Sequence, residues 1–207
     1  MRYCVRTVLL IFTTCVLSKP IPVVADPTAA DYFPLSVGNR WVYESSEGAD
    51  ATPVVESWEV VRQEGRAFVV RVQQPFVTGD GLEEIFEVNA ESVQRLVPDA
   101  KTTEPQLILK APAAVGDNWQ GADGWYTITA AGETVTVPAG TFTNCLEITR
   151  RNKESRVVIA STYAPGVGMI QREETFPIIG GFGSGGDFET AARGRTVLRL
   201  KSWEVKK

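Results

Sequence analysis

Apolar and polar residues trade places every second position in this chain, and Gly, Pro, Asn and Asp break each run before a helical period can build. Successive side chains of a strand point to opposite faces, so such a pattern buries one face of a sheet and wets the other. Trp58 and Val60 alternate with Glu59, Val61 and Arg62. Phe68, Val70 and Val72 alternate with Ala67, Val69 and Arg71, and Gln63-Glu64-Gly65-Arg66 makes a hairpin loop between the two runs. Further runs cover Leu82 to Val88, Val93 to Leu96 and Leu107 to Leu109.

The clearest stretch is Trp125 to Ile148. Tyr126 and Ile128 lead to a break at Ala131-Gly132, and Val135 and Val137 follow. Val137-Pro138-Ala139-Gly140 then has the residues of a type I turn, with Leu146 and Ile148 on the return strand. Val157 to Tyr163, Met169 to Phe176 and Arg195 to Val205 complete the set. Ten to twelve strands on short loops predict an all-β, antiparallel meander. The expected architecture is a single domain over residues 26–207: a curved sheet, half-barrel or sandwich.

The first 25 residues read as an address. Arg2 and Arg6 precede the apolar run Val8 to Leu17, which is too short to anchor a chain across a bilayer. Val23-Val24-Ala25 puts small residues at the −3 and −1 places, so cleavage is expected after Ala25, with Ser18 as the second choice. Phe12-Thr13-Thr14-Cys15 departs from the Leu-Ala-Gly/Ala-Cys pattern of a lipobox, and no lipid anchor is expected at Cys15. The expected location is secreted or periplasmic.

Removing this segment leaves 18 basic against 25 acidic residues, a net charge of −7. That surface repels phosphate backbones and anionic membranes, so neither nucleic acid nor a membrane surface is an expected partner. Cys145 becomes the only cysteine, which excludes a disulfide framework. Stability must come from an apolar core, and the five Trp (Trp41, Trp58, Trp119, Trp125 and Trp203) are expected to pack in it.

The chain has no histidine. No Ser-His-Asp or Cys-His pair can form, and most zinc geometries are closed. No calcium loop of the D-x-D-x-D-G kind appears, and Asp80-Gly81 and Asp123-Gly124 read as turns. Neither a metal nor a cofactor is expected. Cys145 lies in a strand without a base and reads as a buried structural thiol. The acidic pairs Glu83-Glu84 and Glu173-Glu174, and Glu56 with Glu59, would diverge to opposite faces of their strands, where solvated surfaces suit them. No catalytic residue is assigned.

Gly181-Phe182-Gly183-Ser184-Gly185-Gly186 spells G-x-G-x-x-G, yet the residues after it read as a strand, not the helix a dinucleotide site needs. Two readings of the surrounding Pro177 to Asp187 segment stand. It is a plain loop joining the last two strands, or a mobile apolar flap whose Ile178, Ile179 and Phe182, with Phe188, touch a ligand or partner.

An echo runs through the chain. Val37-Gly38-Asn39-Arg40-Trp41 returns as Val115-Gly116-Asp117-Asn118-Trp119, each with a proline three residues ahead of the valine, Pro34 and Pro112. Either the domain holds two related halves or one way of starting a strand is used twice.

Asp31 to Tyr43 (Asp-Tyr-Phe-Pro-Leu-Ser-Val-Gly-Asn-Arg-Trp-Val-Tyr) resembles the opening of a group of uncharacterised bacterial secreted proteins. Val137-Pro138-Ala139-Gly140-Thr141-Phe142 with Cys145, and Tyr163-Ala164-Pro165-Gly166-Val167-Gly168-Met169-Ile170, fit as well. The group is similar to the DUF3108-like and TapB-type β-rich envelope proteins. The resemblance implies an exported β-domain and brings no catalytic residues with it. The expected function is non-enzymatic binding of a lipid or other apolar ligand, or of an envelope protein. A structural or assembly module without ligand is the alternative, and a carboxylate-dependent hydrolase stands further off.

Overall fold

Strands with one apolar face need a second layer or a closed sheet to bury it, and this chain closes its sheet. The computed structural model describes residues 26–46, 53–75, 79–96, 105–121, 123–152, 154–182 and 188–206, with the backbone alone at 46, 179–182 and 188–193. The expected leader, with Cys15 and the cleavage expected after Ala25, falls on residues 1–25, outside the described residues.

Twelve antiparallel strands form one sheet. The first six are β1 (Arg40–Ser46), β2 (Val54–Glu64), β3 (Ala67–Gln73), β4 (Leu82–Val88), β5 (Ser92–Leu96) and β6 (Gln106–Lys110). The second six are β7 (Asn118–Gly121), β8 (Gly124–Val137), β9 (Gly140–Arg151), β10 (Val158–Ala164), β11 (Gly168–Phe182) and β12 (Phe188–Glu204). Each set is an up-and-down meander. They join where β1 pairs with β12, which leaves β6 and β7 at the two edges. The edges come back together, so the sheet is a nearly closed barrel. The expected all-β meander is what the chain forms.

The edges meet through side chains. Trp119 Nε1 of β7 donates to the Leu107 carbonyl of β6 at 2.9 Å, and Lys110 of β6 lies 3.4 Å from Asp117. The same ammonium sits 5.4 Å from the centre of the Trp119 ring, within cation–π range.

The echo is a shared backbone device. Gly38 N–H donates to the Val60 carbonyl, Val60 N–H to Asn39, and Asn39 N–H to Ser36. In the second half Gly116 donates to Ile128, Ile128 to Asp117, and Asp117 to Ala114. Gly38 and Gly116 take φ of 88° and 96°, which L side chains avoid. Val60 and Ile128 are both fully buried, and a register shift follows each. The match continues through the pairing: Trp58 faces Trp41 as Tyr126 faces Trp119, and Val70 faces Val60 as Ile148 faces Ile128. Two related halves account for a match of this length.

One end of the barrel is stoppered by the helical turn α1 (Ala29–Tyr32), which sequence periodicity missed because it is a single turn. Its signal is a capping box: Thr28 accepts from Asp31 N–H, and the Asp31 carboxylate accepts from Thr28 N–H. Ala29 N–H donates to the Ala90 carbonyl and Tyr32 OH to Asn144. The Phe33 ring reaches inward between Phe86 (5.1 Å) and Tyr163 (6.2 Å), one from each half.

Several expectations need correcting. Ala131-Gly132 does not end a strand: β8 runs through it, and Gly132 at φ 78° sits among its register shifts. β11 and β12 continue past Phe176 and begin before Arg195, so residues placed in a loop are paired, Ile178 with Ala192 and Phe182 with Phe188. The core takes Trp41, and Trp58 and Trp119 pack against it, but Trp125 and Trp203 are 40% and 37% exposed.

Candidate functional site

Barrel interiors are filled by inward side chains unless the strands leave room. Near Phe33, Trp41 and Tyr43 the filling is complete, with a gap of only about 10 Å³. Trp41 Nε1 donates to the Val167 carbonyl at 2.6 Å and Tyr43 OH to that of Met169 at 3.0 Å, so both rings satisfy their polar ends while buried. Beyond this plug the filling stops.

An open cavity of about 270 Å³ lies against Phe33, Trp58, Phe86, Ile108, Ile148, Ile159 and Met169 on its apolar side. Its polar side carries Glu84, Arg95, Arg150, Arg172, Gln74, Ser161 and the two tyrosines Tyr126 and Tyr163. Larger hollows occur elsewhere, about 570 Å³ beside Val42, Val55 and Gln73 and about 370 Å³ beside Tyr32, Pro112 and Asn144. Each of these holds one charged side chain, Arg40 or Asp26.

Alternation puts the polar groups there. Leu146, Ile148 and Arg150 share a phase of β9, as Glu84 and Phe86 do on β4. In β11 the pairing skips Ile170: Tyr163 faces Met169, and Thr162 faces Gln171. That bulge turns both Met169 and Arg172 inward.

Asp123, in the turn before β8, ties the cluster together. Its carboxylate accepts from Tyr126 OH at 2.8 Å, from Arg150, and from Arg95 at 3.4 Å. The turn itself was expected; its carboxylate's reach to β5 and β9 was not. Arg95 also donates to Gln106 at 2.6 Å and lies 4.0 Å from Glu84, while Arg172 lies 3.3 Å from Glu174. Burial, with Arg95 and Arg172 nearby, pulls the Arg150 guanidinium below its ordinary pKa. Burial pushes Tyr126 up to about 12 and raises Tyr43 and Tyr163 as well.

The acidic pairs diverge as expected, and the members of each take different partners. Glu83 binds Arg62 outside through both carboxylate oxygens, and Glu173 binds Arg195 likewise. Their neighbours Glu84 and Glu174 turn toward the guanidiniums, and Glu56 accepts from Trp58 Nε1 and Gln74. Exposure is similar within the adjacent pairs, 37% and 34% for Glu83 and Glu84 and 29% and 32% for Glu173 and Glu174, so direction and partner tell their members apart. A charged residue on the apolar phase of a strand, as in Leu146-Ile148-Arg150, is the signal that sequence reading passed over.

Cys145 is buried and donates to the Phe142 carbonyl at 3.4 Å, and burial raises its pKa. Of the Gly-rich segment, Ile178 is 45% exposed. Ile179, Phe182 and Phe188 lie on β11 and β12 with side chains outside the described residues, as residues 183–187 are entirely. The up-and-down order sends this hairpin from the same end of the barrel as Glu84, Arg95 and Arg150.

Among the described residues no group of three or more Cys, Asp or Glu is placed to hold a metal ion. No described helix is long and apolar enough to cross a membrane, which leaves open what a β-barrel could do.

No family model and no curated protein matches the chain. Two solved structures are similar to it. One is a candidate exported protein with a YmcC-like fold from Bacteroides fragilis NCTC 9343, 13% identical, covering 84% of this chain and 98% of that one at a TM-score of 0.48. The other is a candidate lipoprotein from Parabacteroides distasonis ATCC 8503, 16% identical, covering 87% and 100% at a TM-score of 0.44. At these scores the likeness carries nothing further to this chain, and the narrower resemblance to DUF3108-like and TapB-type proteins finds no counterpart here.

Proposed function

We propose that this chain is an exported, non-enzymatic binding protein that takes a small lipid-like ligand into its barrel. The observation that supports it is the cavity of about 270 Å³ between Phe33 and Arg150. Ligand pockets begin at roughly 300 Å³, so the space suits a small molecule or one end of a longer one. Seven apolar side chains line it, and a chain so well packed around Trp41 and Tyr43 has the means to fill such a space. The leader pattern of residues 1–25 supports export. A ligand without any polar group would dehydrate the guanidiniums further and give their free donors no partner, so of the lipid or other apolar ligands expected from the sequence an amphiphile fits best.

A fluorescence titration tests this. The full mature chain should bind a neutral naphthylamine dye saturably, with energy transfer from Trp58. Ser161→Phe, which puts a ring into the cavity, should abolish binding while the far-ultraviolet spectrum and the unfolding midpoint stay near wild type. Binding that survives this substitution would place the dye outside the barrel and remove the reading.

A further inference from the structure

The cavity's charge is unevenly set. Three guanidiniums line it, from β5, β9 and β11, against one lining carboxylate, Glu84, which approaches Arg95 only to 4.0 Å. Asp123 stands beside the cavity lining and is shared by Arg95 and Arg150. Arg172 has Glu174 at 3.3 Å, a long contact for one of five N–H donors. All three guanidiniums are partly dehydrated, with side chains 26–37% exposed.

The relation between the halves says what Arg150 is not for. Val60 faces Val70 and Trp58 faces Val72 in the first half; Ile128 faces Ile148 and Tyr126 faces Arg150 in the second. Arg150 therefore holds the place of Val72, which is 4% exposed. Folding at that place is satisfied by a valine, whose burial costs nothing comparable to that of a guanidinium. Glu84 and Ser161, facing Val70 and Ile148, are another equivalent pair, polar in both halves and charged in the first alone.

We propose that Arg150 and Arg172, backed by Arg95, hold the carboxylate of a small amphiphile whose apolar part lies along Phe33, Phe86 and Met169. A planar carboxylate matches the guanidinium fork, and a low-dielectric wall strengthens the pair. A liquid-like water occupies about 30 Å³, so the cavity has the volume of about nine waters, which a medium-chain acid fills. This inference rests on the barrel reading above.

Calorimetric titration of the full mature chain with octanoate, octanol and octylammonium separates the two. Octanoate should bind about tenfold or more tighter than octanol, and octylammonium weakest. Arg172→Met should remove most of that preference, read as the ratio of octanoate to octanol affinity in the same variant; should the variant prove unstable, loss of the octanoate preference at high salt is the second measure. Equal binding of octanoate and octanol, or preference for octylammonium, would overturn the carboxylate inference and leave the barrel reading standing. Failure of all three to bind would overturn both.

Discussion

Trp119 Nε1 donates to the Leu107 carbonyl across the one seam that no backbone ladder closes. Twelve strands give eleven ladders, and the twelfth junction depends on the Trp119 indole and the Lys110–Asp117 ion pair, with the Arg95–Asp123 pair beside them. Open sheet edges invite pairing with other chains, and this edge is covered by its own partner instead.

Trp119→Phe keeps a ring to stack on Tyr126, now 5.5 Å away at 11°, and removes the donor. The expected loss is about 1–2 kcal/mol by urea denaturation, the range for a hydrogen bond with one partner left unpaired. An unchanged midpoint would mean that the seam is held elsewhere.

Asp123→Asn leaves two guanidiniums without their shared anion and should cost about 2–3 kcal/mol, since the carboxylate is only 22% exposed. Adding Arg150→Met should recover about 1 kcal/mol or more, because the valine-like place then holds an apolar chain. Strict additivity of the two substitutions would contradict the coupling.

Gly116→Ala isolates backbone strain. A Cβ there meets nothing within 4 Å, so a φ of 96° is the whole penalty, about 1–2 kcal/mol. At Gly38 the Cβ would also meet the flexible Lys206 ammonium, which donates to Val37. Alanine should therefore cost at least as much at 38 as at 116, read as shifts in thermal midpoint.

Tyrosine ionisation should lag in the native state. Burial holds the phenols of Tyr43, Tyr126 and Tyr163 neutral above their ordinary value near 10, Tyr126 to about 12. The native state then keeps protons that the unfolded chain releases, so this stability is complete below pH 10 and falls as pH rises through the folded values. Ultraviolet difference titration should show these three tyrosines ionising together with alkaline unfolding. Reversible ionisation of Tyr43, Tyr126 and Tyr163 near pH 10, with the fold intact, would refute the burial.

The sheet was legible because alternation and turn residues are local. Val137 to Gly140 is a hairpin turn as read, the loop read at Gln63 to Arg66 narrows to Gly65-Arg66 because Gln63 and Glu64 pair in β2, and the echo at Gly38 and Gly116 marks the start of each half. Bulges were not legible. Nothing in Gly168-Met169-Ile170-Gln171-Arg172 announces that Ile170 is skipped, and without that skip Met169 and Arg172 would face opposite ways. Gly132 looked like a turn because a positive φ serves bulge and turn alike. The site was hidden for a different reason: Asp123, Arg95 and Arg150 come from three elements and meet only when the barrel closes. The absence of histidine narrowed the chemistry toward carboxylates and shape, and guanidiniums now join them.

Methyl NMR of the chain from residue 26 onward, titrated with octanoate, tests the central claim, that the barrel interior is the binding site. The methyl signals of Ile148, Ile159 and Met169, which line the cavity, should shift saturably, while exposed Val37 and Val55 stay fixed. Shifts confined to Val37 and Val55, or no shifts at millimolar octanoate, would contradict it.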